Sequence, residues 1–382
     1  MTTIDELAAS IPLVDHHCHG VLRDTPDRAA FELLATESDW PEPPGMTVFD
    51  SPFGVLMRAE CAPLLDLERH ATADRYIERR AELGQAEVTR RLLPATGIDT
   101  VLIDTGFKGA LILSPSEMGA AAAAAVFEIV RLEAVAEDVA ESTTAEGFAA
   151  DFRRALGERA GSAVGFKSII AYRFGLDFDP ARPASAEVAR AAGEWLASCE
   201  QRGRIRMDHP VLLRHILWEA VDHGKPIQFH VGYGDSDIVL HRCDPTQMTG
   251  FVKATVDAGV QLMLLHCYPF IREAGFLAQV FPHVWLDTGA AVNYTGLSSG
   301  ALVRQSMEMA PFGKVLFSSD AFGLPELYFG GALLWRRAVG RILGEWVSAD
   351  GMSAVDAKRY LRMMAGDNAR RAYDLEGGAS LG

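Results

Sequence analysis

The segment Leu13-Val14-Asp15-His16-His17-Cys18-His19-Gly20 gathers several potential metal ligands in a few residues. It is an apolar run that ends in Asp-x-His-x-His. Side chains at i and i+2 of a strand project to one side. The spacing therefore predicts that Asp15, His17 and His19 point together while His16 and Cys18 point away. Two neutral imidazoles placed this way reach one ion, and imidazole suits zinc and its neighbours.

Three further runs repeat the arrangement of apolar residues followed by a ligand. They are Pro226-Ile227-Gln228-Phe229-His230, Leu262-Met263-Leu264-Leu265-His266 and Val315-Leu316-Phe317-Ser318-Ser319-Asp320. One such histidine alone reads as a satisfied core residue. A buried His or Asp is costly unless paired or metal-bound, so four instances in one chain point to a shared metal centre.

The elements that must position these groups follow from hydrophobic patterning. Apolar, branched runs at Ile11–Cys18, Thr100–Asp104, Phe127–Val135, Ala163–Ala171, Pro226–Val231, Gln261–Cys267, Val284–Asp287 and Lys314–Ser319 predict strands buried on both faces. Helical patterns lie between most of them, among them Gln85–Leu93, Thr144–Glu158, Ser185–Gln201, Val211–His223, Thr246–Ala258 and Gly300–Met309, and two long ones follow at Glu326–Val347 and Ser353–Tyr373. The alanine tract Ala120–Ala125 reads as a helix face. Eight strands alternating with helices predict an α/β fold, a (β/α)8 TIM barrel with C-terminal helices. Periodicity alone also allows an open doubly wound sheet. The ligands fall at the C-terminal ends of the first, fifth, sixth and eighth strands, where barrel active sites form, and closure brings the first and eighth strands side by side.

Residues 21–84 separate the first two strands by more than a minimal barrel needs. Pro41-Glu42-Pro43-Pro44-Gly45 interrupts any helix there, while Trp40, Phe49, Phe53, Leu56 and Met57 supply apolar surface for a packed helical insertion. The insertion emerges on the active-site face, as a pocket wall or as a packing or oligomer contact. The expected organisation is one domain over residues 1–382, with 49% hydrophobic residues to fill its core. A net charge of −15 argues against nucleic acid or an anionic membrane as partner and suits a small-molecule substrate, with a homo-oligomer compatible. Five scattered cysteines without a C-x-x-C pair suggest a reducing compartment. The polar, mixed stretch Met1–Ser10 carries no secretory pattern, so a cytoplasmic location is expected.

The pattern of His17-x-His19, His230, His266 and Asp320 resembles that of the amidohydrolase superfamily of metal-dependent barrels. Gly165-Phe166-Lys167-Ser168-Ile169-Ile170-Ala171-Tyr172-Arg173, Gln228-Phe229-His230-Val231-Gly232-Tyr233-Gly234-Asp235 and Phe317-Ser318-Ser319-Asp320-Ala321 resemble the amidohydrolase-2 type domain, found alone or with glutamine-synthetase-like domains. The likeness runs from about Ile11 to Asp367-Asn368-Ala369-Arg370. It implies a divalent metal, Zn2+ before Mn2+ or Fe2+ and one ion rather than two, held by His17, His19, His230 and Asp320. A catalytic zinc keeps an open position for water. The resemblance gives Asp320 the role of general base and acid, and makes His266 either a second-metal ligand or a donor to the scissile carbonyl. Asp15 is expected to support the histidines from behind.

Lys167 occupies the strand where two-metal members often carry a carbamylated lysine, but it stands mid-run, and a salt-bridged or substrate-binding lysine is the simpler account. Arg173 suits a substrate carboxylate through its planar fork, or an ion pair. Tyr172, Tyr233, Asp235 and His241 lie at loop starts as pocket candidates. His70, His209, His215, His223 and His283 recur at no strand end and read as ordinary surface or core residues. Glu326 fits helix capping as well as a pocket role. Three functions remain open: a hydrolase of an amide, with a γ-glutamyl amide suggested by the resemblance; a decarboxylase of an aromatic or unsaturated acid on the same barrel; and a non-catalytic metal-containing binding protein.

Overall fold

The structure, a computed structural model, describes residues 3–375. Seven parallel strands pair in sequence order: β1 (Leu13–Cys18), β2 (Ile98–Asp104), β3 (Ala125–Arg131), β4 (Ala163–Ser168), β5 (Ile227–Val231), β6 (Leu262–His266) and β7 (Val284–Leu286). The eighth predicted run closes the ring without forming a full ladder. Leu316 N–H donates to the Leu286 carbonyl at 2.9 Å, and His16 N–H donates to the Phe317 carbonyl at 3.2 Å. Residues 315–319 thus bridge β7 and β1, and the sheet is an α/β TIM barrel with helices outside it.

Two cores result. Val14, Leu102, Ile129, Met263, Leu265 and Leu316 fill the barrel's interior. Leu13, Cys18, Phe166, Phe229 and Leu264 alternate with them and pack outward against the helices. The C-terminal helix Asn368–Ala372 closes the N-terminal end of the barrel: Asn368 Nδ2 donates to the Phe312 and Val315 carbonyls, and Ala369 and Tyr373 join the inner core.

Several boundaries depart from the sequence expectations. β3 stops at Arg131, and Leu132–Ala140 is a helix, because its apolar residues have helical spacing. β4 stops at Ser168, where the Ser168 side chain accepts from Ile170 N–H and starts the turn Ile170–Arg173. The alanine tract does not stay helical; Pro115–Ala122 ends at a left-handed Ala123, and Ala125 opens β3. The expected helix Thr246–Ala258 is three short turns, and the last long pattern is interrupted by a π-turn at Met363–Asp367.

The segment after β1 carries the helix Arg28–Leu34, a run of short turns across residues 48–65, and the helix Ala73–Ala95, bent at Gly84 with φ +76°. The expected insertion boundary near residue 84 therefore falls inside a helix. A buried ion pair fixes this helix to the barrel's outer layer. Glu326 accepts from Arg80 Nε at 2.6 Å, Arg80 Nη2 at 3.2 Å and the Tyr76 hydroxyl at 3.0 Å. That contact, rather than a cap or a pocket, is the place of Glu326. All five cysteines are buried and unpaired, and no helix among the described residues is long and apolar enough to cross a membrane.

Candidate metal centre

A bulge in β1 decides which side chains face the barrel. Asp15 pairs with Val101 and Cys18 with Ile103, so three steps on β1 oppose two on β2. His16, His17 and His19 consequently all turn inward. Asp15 turns instead to Ser319, whose N–H donates to it at 2.9 Å and whose hydroxyl also donates. Simple alternation groups Asp15 with His17 and His19; the extra residue in the strand puts His16 in its place. Burial pushes the Asp15 carboxyl up to about 7 against those hydrogen bonds.

Gln228 on β5 fixes the chemistry of His17. Its Nε2 donates to the His16 carbonyl at 2.7 Å and to the Tyr373 hydroxyl at 2.9 Å, so its Oε1 must be the acceptor from His17 Nδ1, 2.8 Å away. His17 Nε2 then carries a lone pair. His19 is set the same way, since its Nδ1 donates to the Asp104 carbonyl at 3.1 Å. Both lone pairs meet Asp320: Oδ1 lies 3.0 Å from His17 Nε2 and 3.7 Å from His19 Nε2. Burial holds both imidazoles below their ordinary range, so neither supplies a proton. Three acceptors within 4.8 Å of one another are the donor set of a cation.

The remaining ligand-type residues surround this trio. His266 Nδ1 accepts from Ala290 N–H at 3.4 Å, which leaves the proton on Nε2, directed at Asp320 Oδ2 at 3.4 Å. His266 is thereby a donor to Asp320 rather than a free lone pair. His230 stands outside the trio. Its Nε2 is buried without a partner, its ring lies 4.9 Å from that of His266, and Tyr172 covers it at 4.3 Å. Lys167 is the penultimate residue of β4, not mid-strand as expected, and its Nζ is 3.4 Å from His17 Nε2. Burial lowers its pKa to about 8, opposed by Asp320 and Asp104. Burial raises the Asp320 carboxyl to about 6, opposed by His19 and Lys167.

Backbone geometry marks the same residues. His266, Cys267 and Asp320 adopt positive φ of 67°, 56° and 51°. Such conformations cost about 1–3 kcal/mol each and persist only where the surroundings over-determine them. Gly289 lets the helix Gly289–Thr295 abut His266, because a Cβ there would collide with its Nδ1. Gly232, at φ +77°, likewise leaves room for the Tyr268 carbonyl, which accepts from Tyr233 N–H at 2.7 Å.

Some expected site residues lie elsewhere. Arg173 turns to Glu137 at 3.3 Å and forms an ion pair rather than a carboxylate clamp. His241 is exposed on a short turn and contributes nothing to the centre. His283 meets the Thr255 hydroxyl, His215 packs between Phe148 and Phe152, and His223 packs on Phe166. Sequence reasoning missed Gln228, Tyr373, Asp287, Asp104 and Arg131. Asp287 accepts from His16 Nε2 at 2.7 Å, and the Tyr373 hydroxyl bridges His16 Nδ1 to Gln228. Asp104 accepts from Arg131 Nη2 at 2.6 Å and from Nε at 3.0 Å, which holds its carboxyl well below the usual range while its carbonyl orients His19. The available signal was position: Asp104 and Arg131 each end a strand.

A family model described as amidohydrolase matches residues 143–375. Protein fluG of Emericella nidulans is 24% identical over 98% of this chain and 47% of its own length, so the chain spans about half the curated relative it matches. A crystal structure from Lactobacillus casei, provisionally described as a metal-dependent hydrolase, is 28% identical with a TM-score of 0.85 over 99% of both chains. A uronate isomerase of Bacillus halodurans, 14% identical over 99% of this chain and 96% of its own, shares the fold with a TM-score of 0.64. The inward histidines of β1, the strand-end His230, His266 and Asp320, and the matched region agree: the chain belongs to the amidohydrolase family.

Proposed function

We propose that the protein hydrolyses an amide, with a γ-glutamyl amide the first class to test, using one divalent metal, Zn2+ before Mn2+ or Fe2+. The observation that carries this reading is the convergence of His17 Nε2, His19 Nε2 and Asp320 Oδ1, three acceptors with no proton among them. His230, with its unpartnered Nε2, is the fourth ligand in this reading. The metal, when bound, supplies an acidified water and a Lewis acid for the carbonyl oxygen.

The chain's own groups do the rest. Asp320 takes the proton from the attacking water and passes it to the departing nitrogen, giving a carboxylate and an amine. His266 Nε2–H holds Asp320 Oδ2 in place during the transfer. Lys167, beside His17, offers positive charge to the oxygen that becomes negative in the transition state. Phe107 and Phe322, with rings 5.7 and 5.9 Å from that of His19, wall the centre with apolar surface.

Hydrolysis and decarboxylation on this barrel part at the fate of water. Once screening of γ-glutamyl amides and aromatic acids yields a substrate, turnover in ¹⁸O-water is expected to place the label in the product carboxylate. Unlabelled product with stoichiometric carbon dioxide would overturn the hydrolase reading.

A further inference from the structure

At the end of the barrel opposite the metal centre, the helices Ile4–Ser10, Ala73–Ala95 and Pro325–Ser348 border a cavity of about 560 Å³. Its position follows from Arg336, whose Nη1 donates to the Thr96 carbonyl and whose Nη2 donates to the Ile11 and Gly97 carbonyls at 2.8 and 3.0 Å. Those carbonyls lie just before β1 and β2, so the length of β1, about 20 Å, separates this place from the ligand-bearing end of the strand. Phe329 and Leu333 stand a turn apart on the helix that carries Arg336 and give the cavity an apolar wall.

The charge in this cavity runs against that of the whole chain, which is −15. Three guanidiniums, those of Arg336, Arg337 and Arg341, line it beside one carboxylate, Asp5. Glu60 engages Arg337 at 3.1 and 3.2 Å. Arg341 is exposed and has no hydrogen-bond or ion-pair partner among the described residues. Asp5 Oδ1 lies against Gly340, where a Cβ would stand 3.0 Å from it, and Asp5 likewise forms no ion pair among the described residues. Arg336 is 8% exposed, its hydrogen-bond partners are neutral carbonyls, and its Nε has no partner. Arg80 and Arg214 are as deeply buried, but each meets carboxylates: Glu326 for Arg80, Asp179 and Glu187 for Arg214. Burial lowers the Arg336 guanidinium to about 10, which leaves it charged at neutral pH. A buried charge without an opposite charge is costly, and the planar guanidinium fork matches a carboxylate.

We infer that this cavity is a binding site for a small organic carboxylate with an apolar tail, separate from the place where substrate reacts. The carboxylate answers the positive charge of Arg336 and Arg341, and the tail lies on Phe329 and Leu333. The volume is that of a small-molecule pocket. Asp5 weakens the site by like charge. Arg336 ties together the segments that enter β1 and β2, so a ligand here steadies, from their far end, the strands that carry His17, His19 and Asp104. The inference is independent of the reaction at the metal centre.

The test is calorimetric titration of the metal-loaded protein at neutral pH with hexanoate and, as its neutral counterpart of similar size, 1-heptanol. The unmodified protein is expected to prefer hexanoate by at least about tenfold. Arg336→Gln is expected to remove that preference. Arg341→Gln changes an exposed residue without partners and is expected to weaken hexanoate by about 2–5-fold. Asp5→Asn removes the competing charge and is expected to tighten hexanoate by a similar factor. Circular dichroism checks that the variants fold, and Arg341→Gln with Asp5→Asn carries the test if Arg336→Gln does not. Equal binding of the two probes, no hexanoate binding, hexanoate binding that survives in the arginine variants as it would at the metal, or an affinity unmoved by Asp5→Asn overturns the assignment. None of these outcomes bears on the ¹⁸O experiment, which tests hydrolysis alone.

Discussion

Gln228 accepts the Nδ1 proton of His17 through its amide oxygen at 2.8 Å, and this one contact determines that His17 presents a lone pair to the centre of the barrel. Gln228→Leu keeps the volume and removes the orientation. Outer partners of ligating histidines are worth about 10–100-fold in metal affinity, and a loss of that size is expected here, measured by competition with a chromogenic chelator. The double variant His17→Ala/His19→Ala serves as the reference and is expected to retain only background metal by elemental analysis. Unchanged affinity in Gln228→Leu would show that the ring is oriented without the amide.

Asp320 is placed both to ligate and to move a proton. Asp320→Asn preserves the shape and removes the basic oxygen. Turnover per bound metal is expected to fall by about 10²-fold or more, the reach of positioned acid–base catalysis. Activity is expressed per bound metal because an amide is also a poorer ligand. Near-normal turnover at normal metal content would remove Asp320 from the proton transfers.

Asp15 gives a pH dependence with a definite sign. Its carboxyl titrates near 4 in the unfolded chain and at about 7 in the folded one. Between those values the folded state holds the proton and the unfolded state has lost it. Stability from this group therefore falls as pH rises from about 4 to about 7, by an amount of the order of a few kcal/mol. The neighbouring histidines, with lowered pKa values, act in the opposite direction, so the quantity to measure is a difference. In chelator-treated protein, the gap in unfolding free energy between Asp15→Asn and the unmodified chain is expected to shift in favour of the variant across that window. A pH-independent gap would contradict the assignment.

Arg80 and Glu326 are both buried, at 2% and 0% side-chain exposure. Arg80→Ala leaves a carboxylate in the core with only the Tyr76 hydroxyl, and such uncompensated charges cost about 3–5 kcal/mol. Denaturant unfolding reads the effect directly. A loss below about 1 kcal/mol would mean that water reaches Glu326 once the guanidinium is gone.

The converging strand ends were legible because each sets a His or Asp against an apolar run that does not tolerate it without a partner. His17, His19 and Asp320 are the residues of that pattern whose ligand-type atoms lie within 4.8 Å of one another. The bulge in β1 was not legible, because alternation assumes an unbroken register and one inserted residue exchanges Asp15 for His16. The last strand reads as a run at residues 314–319, but only backbone bonds to Leu286 and from His16 reveal that it closes the barrel loosely. Gln228 and Tyr373 carry no spacing signal of their own; their roles arise from partners far away in sequence.

The contact between His16 and the Tyr373 hydroxyl joins residues 357 positions apart. On a ribosome the chain presents its first histidines long before the tyrosine that braces them exists. Closing so long a loop is entropically costly and slow, so the polar floor beneath His17 is among the last features to form. Metal met by a growing chain finds mobile imidazoles, and the brace that Tyr373 gives His16 and Gln228 arises only when the helix Asn368–Ala372 docks against the barrel.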